Sequence, residues 1–90
     1  MKLEKKTGWE KSSRLWETKD LTGTTDSGVQ FHIKMVVFTP PHTDGECLCK
    51  FYGYINDVRV SWESHKRMSL SSGKAVVHRK VNQLLKQFGG

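Results

Sequence analysis

Cysteine, proline and acidic residues are scarce in this 90-residue chain, and no apolar run is long. Its two cysteines, Cys47 and Cys49, are separated by a single residue. On a strand both thiols point to one face, where neighbouring positions make poor disulfide geometry. Zinc takes four ligands, commonly with cysteines about two to four residues apart. Cys47-Leu48-Cys49 is shorter than that and no second cysteine pair follows. Even with His42 and His65 as added ligands, no metal site is expected, and the pair reads as two buried, reduced, structural thiols. No stretch approaches the roughly 20 apolar residues of a membrane span. The start, MKLEKKTGWEK, carries charge but no apolar core, so it is not a signal peptide. A reducing compartment follows, either the cytoplasm or a eukaryotic nucleus. The two prolines are adjacent, Pro40-Pro41, and no internal repeat or low-complexity tract is present.

Acidic residues number 9 against 15 Lys+Arg, a net charge of +6 with a pI near 9.6. Such an excess points to a polyanionic partner: nucleic acid, an acidic protein or an anionic membrane. Enzyme signatures are also missing. The four histidines, two cysteines and many serines form no nucleophile elbow or triad context. The Gly73-Lys74 pair lacks the first glycine and the preceding strand of a phosphate-binding loop. No enzyme activity and no cofactor are expected.

What is present is an architecture. Ninety residues make one domain, with room for one small core, because a chain of this size buries roughly 60–65% of its unfolded surface. The clearest element is Glu46–Glu63, two strands joined at Asn56-Asp57, residues that tolerate the positive φ of a two-residue hairpin turn. That turn sets the register. Ile55 faces Val58, Gly53 faces Val60 and Phe51 faces Trp62 on an apolar face. Tyr54 faces Arg59, Tyr52 faces Ser61 and Lys50 faces Glu63 on the other. A slip of one residue would mix the two faces. Gly53 leaves a gap that the diagonal Trp62 ring is expected to cover.

Residues 1–13 read as a flexible basic arm anchored at most by Trp9, and residues 14–90 as the single domain. Arg14–Leu21 is a first strand with charges on both faces, as suits an edge. Thr22–Gly28 is a turn by composition. Val29–Thr39 is a strand, with Val29, Phe31, Ile33, Met35 and Val37 on one side. Val36 and Phe38 make its far end apolar on both sides, and Pro40-Pro41 stops it. After a hydroxyl-rich segment with Ser71 or Ser72 as N-cap, a helix runs over about 72–88. Val77, Val81, Leu84, Leu85 and Phe88 form its apolar stripe, and Arg79, Asn82, Gln83 and Lys86 its polar side. Gly89-Gly90 ends it. The fold expected is α+β: a four-stranded antiparallel sheet in the order β-β-β-β-α, with the C-terminal helix on its apolar face. The inner set is Val29, Phe31, Ile33, Met35, Cys49, Phe51, Ile55, Val58, Val60 and Trp62.

A sheet covered on one side leaves the other free. Lys50, Tyr52, Tyr54 and Arg59, with His32 and Lys34 beside them, give that free side rings for stacking bases and cations for phosphates. HKRMSLSSGK adds Lys66, Arg67 and Lys74 near a helix start that favours anions. Lys74 lies one turn before His78. The expected function is a non-enzymatic DNA- or RNA-binding module using Lys50, Tyr52, Tyr54, Arg59, Lys66, Arg67 and Lys74 as one surface. Neither a double-stranded-RNA-binding domain nor an RNA-recognition motif fits: no helix precedes Arg14, and the aromatic octapeptide of the latter is missing. The alternative is a small protein-binding inhibitor or adaptor, its cations meeting a nucleic-acid-handling complex. An open strand edge and exposed aromatics suit that role, and the same edge admits a second copy of the chain.

Overall fold

In the computed structural model, residues 2–6, 8–11, 13, 15–41 and 45–88 are described, the side chains of residues 2 and 4–6 excepted. Arg14, His42, Gly89 and Gly90, named above, lie outside that set. The elements are β1 (Lys2–Lys6), β2 (Glu10–Lys11), β3 (Trp16–Thr24), β4 (Gln30–Phe38), β5 (Leu48–Ile55), β6 (Val58–Glu63) and α1 (Leu70–Gln87). The fold is α+β, with an antiparallel sheet in the order β1-β3-β4-β5-β6 and one C-terminal helix. β2 also pairs with β3, at Thr18 and Glu17, while β1 pairs with Leu21–Thr24. Because β4 occupies the other edge of β3 along its whole length, β1 and β2 share one position. The sheet is therefore five positions wide, not the four expected. The extra position comes from the segment read as an arm. Its Lys- and Glu-rich strands show no apolar alternation, and what places them is the open backbone edge of β3, a non-local partner.

The hairpin has the expected register at all six pairs, from Ile55↔Val58 to Lys50↔Glu63. Asn56 at φ 50° and Asp57 at φ 66° form its turn, the type whose twist matches that of the strands. β3 is longer than composition indicates and runs on to Thr24. The turn is confined to Thr25–Gly28, where the Thr25 amide donates to the Val29 carbonyl at 2.8 Å. The buried Thr25 hydroxyl accepts from the Val29 amide at 3.1 Å.

α1 starts earlier than expected, and Ser69 is its N-cap: its side chain accepts from the Ser72 amide. The reason lies just upstream. Met68 and Cys47 exchange two backbone hydrogen bonds of 2.9 and 2.7 Å, so the chain is held extended at Met68 and turns helical from Leu70.

The core lies between sheet and helix. Phe31, Ile33, Met35, Val37, Cys49, Phe51 and Ile55 meet Val77, Val81 and Leu85, all buried. Val58 is a correction: it is 52% exposed. The helix packs on β4 and β5 rather than on β6, so the inner side of β6 is only partly covered, and Val60 and Trp62 are half-buried. Val29 is also only half-buried, between the Thr25–Gly28 turn and the start of β4 at Gln30. Gly53 does not leave a gap for Trp62. A Cβ there would run into the His32 carbonyl and the Ile33 backbone, and Trp62 stacks on Phe51 instead, with centroids 6.1 Å apart.

Candidate nucleic-acid interface

Among the described residues, no helix or strand is laid across the outer face of the sheet over β4, β5 and β6. Alternation along each strand places side chains there, and the ladder aligns them into rows. His32, Tyr54 and Arg59 form one row, and Lys34, Tyr52 and Ser61 the next. Tyr52 is 44% and Tyr54 55% exposed. A shallow hollow of about 300 Å³ is lined by Asp20, His32, Lys34, Tyr52, Gly53 and Tyr54.

Asp20 joins this face unexpectedly. Its carboxylate lies 3.9 Å from Lys34 Nζ and 4.0 Å from His32 Nε2. β3 has no cleanly apolar or polar face, so only its pairing with β4, Asp20↔Lys34, reveals the contact. At the far end of the outer face Trp16 stacks on Phe38 at 4.3 Å and Lys50 lies over the Trp16 ring at 5.3 Å. Val36, on the same face, is buried. The doubly apolar end of β4 is thus a small second cluster, and the Lys50 stem helps to cover it.

The seven residues expected on one surface occupy three places. Lys50, Tyr52, Tyr54 and Arg59 share the outer face. Lys66 and Arg67 are exposed in the connection from β6 to α1. Lys74 stands on the helix side of the sheet, 3.2 Å from the Glu17 carboxylate and 5.4 Å from the Trp9 ring centroid. It belongs to a flank cluster with His78, whose ring meets Trp9 edge-on at 6.1 Å and whose Nε2 accepts from Lys19 Nζ at 2.9 Å. This cluster holds Trp9 against the core, and an acidic partner already satisfies Lys74.

Charge is divided unevenly along the chain. Residues 1–63 hold nine Lys+Arg against nine Asp+Glu, whereas residues 64–90 hold six Lys+Arg and no acid. The whole net charge therefore lies in the connection and the helix. Arg79, Asn82, Gln83 and Lys86 form the exposed stripe of α1, with Lys66 and Arg67 exposed before it. On the outer face Lys34, Lys50 and Arg59 are offset by Asp20 and Glu63. The basic surface is thus the helix layer, a feature invisible to residue-by-residue motif reading and revealed by charge counting along the sequence.

Cys47 and Cys49 are both buried and carry free thiols. Burial pushes each thiol above its ordinary value, and for Cys47 the neighbouring Cys49 adds to the effect. The Ser64 hydroxyl, which also accepts from the Cys49 amide at 3.0 Å, pulls the other way on Cys49. Among the described residues no group of three or more His, Cys, Asp or Glu is placed to hold a metal ion. No described helix is long and apolar enough to cross a membrane. Comparison with known proteins finds no matching family model, curated protein or solved structure.

Proposed function

We propose that this protein is a small nucleic-acid-binding module that holds the phosphate backbone with its helix layer. Lys66, Arg67, Arg79 and Lys86 make those contacts. The open sheet face with Tyr52, Tyr54, His32 and Arg59 acts as a second platform on which unpaired bases stack. The observation that carries this reading is the segregation of charge: six cations and no acid in residues 64–90, with Arg79 and Lys86 on the exposed stripe of α1 and Lys66 and Arg67 exposed in the connection before it. A polyanion neutralises such a layer and releases its own counterions, so affinity falls steeply with salt. The tyrosine face is close to charge balance, so its contribution is stacking and depends little on salt. Lys74, paired with Glu17, takes no part in the contact.

Two variants separate the layers. Arg79→Ala/Lys86→Ala should weaken binding to all sequences and lower the salt slope by about 1 for each phosphate no longer held. Tyr52→Ala/Tyr54→Ala should leave the slope unchanged and weaken single-strand binding by roughly 1–3 kcal/mol per base released. If neither pair changes affinity for any oligonucleotide, the proposal fails. The protein-binding reading then takes over, with the same tyrosines as interface anchors.

A further inference from the structure

The β6 edge is the least finished part of the molecule. It closes the sheet on that side, and the helix packs on β4 and β5 instead. Between β6 and α1 runs a groove of about 520 Å³ floored by Phe51, Val60, Trp62 and Leu84 and rimmed by Arg59 and Lys80. The two-residue turn makes Ile55 and Val58 a hydrogen-bonded pair. Bonded and non-bonded pairs alternate down an antiparallel ladder. The backbone N–H and C=O groups of Val58, Val60 and Trp62 therefore face β5, and those of Arg59, Ser61 and Glu63 face outward.

We infer that this edge pairs with the β6 edge of a second copy, antiparallel, about a two-fold axis through Ser61. In that register Ser61 meets its own counterpart, and Arg59 of each chain bonds to Glu63 of the other. All three outward-facing residues gain backbone partners. Their side chains also match: each Arg59 guanidinium stands opposite a carboxylate on the outer face, and each Val60 stands opposite a Trp62 ring on the inner face. Moving the axis to Val60 would put Asp57 opposite Glu63, two like charges. Moving it to Trp62 would put Arg59 opposite His65 and Glu63 opposite Ser61, with no cation facing Glu63 across the axis. The axis through Ser61 is the register in which opposite charges meet. It also runs perpendicular to the sheet, so both helices lie on the same side. The dimer is then one continuous sheet carrying two basic helices on one face and two tyrosine platforms on the other.

The experiment is sedimentation equilibrium of the full chain over a wide concentration range, with circular dichroism to check folding. The wild type should reach the two-chain mass. Ser61→Pro removes an outward amide and leaves the β5 ladder intact, and it should sediment as a folded monomer. Arg59→Glu and Glu63→Arg should each sediment as monomers, because each places like charges opposite one another across the axis. The double variant Arg59→Glu/Glu63→Arg should recover the two-chain mass, since the pair is restored with its signs exchanged. A wild type that stays monomeric at every concentration overturns the inference. So does a dimer indifferent to Ser61→Pro and to both charge reversals, since its interface would lie elsewhere. A monomer that instead takes an added acidic strand peptide on this edge also overturns it.

Discussion

Gly53→Ala tests how tightly the sheet is drawn together beneath the two tyrosines. Gly53 lies between Tyr52 and Tyr54 and opposite Ile33 on β4. A Cβ built there would overlap the His32 carbonyl oxygen and stand 2.9 Å from Ile33 Cα. Both obstacles are backbone atoms of a central strand, so no side-chain rotation can relieve the overlap. Overpacking against movable side chains costs about 1–3 kcal/mol, and against fixed backbone the cost should be ~3 kcal/mol or more. A domain of this length has roughly 5–13 kcal/mol of stability in all. At about 4–8 °C per kcal/mol for a domain of this size, the melting temperature should fall by more than about 12 °C. Thermal melts and urea titrations followed by far-ultraviolet circular dichroism measure this directly. Gly8→Ala is the control, because a Cβ at Gly8 meets nothing within 4 Å, and it should shift stability by no more than about 0.5 kcal/mol. If Gly53→Ala melts within a degree or two of the wild type, the close approach of β5 to β4 is wrong, and so is the placement of the tyrosine rows built on it.

Leu85→Ala, at a site with no exposed surface, should cost about 2–5 kcal/mol in urea unfolding. Val58→Ala, at a half-exposed site, should cost no more than about 0.5 kcal/mol, and equal losses at the two sites would contradict the position of the helix. The buried thiols make stability fall as pH rises above their ordinary value of 9.0. In that window the unfolded chain releases protons that the folded chain keeps, so ionisation favours unfolding. The double variant Cys47→Ala/Cys49→Ala should lose stability less steeply over the same range, and parallel curves would show that the thiols are not the cause.

The parts of the fold that local chemistry dictates were legible. Asn56-Asp57 specified both the turn and every pair of the hairpin, because only one register keeps Phe51, Ile55, Val60 and Trp62 on a common face. The valine and leucine stripe identified the helix. Non-local effects were hidden. Nothing in Lys2–Lys6 or Glu10–Lys11 announces a strand, since the edge of β3 supplies the reason. Val58 alternates correctly for the core, yet the helix lies one strand too far away to cover it. Ser69 does not stand out as the cap among its neighbouring serines, because the extended pairing of Met68 with Cys47 sets the helix start, and that partner lies 21 residues upstream. The outer face of β4 to β6 was legible from the hairpin together with the alternation of the strand before it. Asp20 and the Glu17–Lys74 pair were not, because both depend on where β3 sits.

The proposed hold of the basic helix layer on a nucleic-acid backbone has a direct readout. Fluorescence anisotropy of labelled single-stranded and duplex oligonucleotides, titrated with the wild-type protein at a series of salt concentrations, tests it most directly. Four phosphate contacts, through Lys66, Arg67, Arg79 and Lys86, predict a log–log salt slope near −3 for single strands and near −3.6 for duplex, at about 0.7 and 0.9 per contact. Absence of binding at low salt, or binding with a slope near zero, would contradict it.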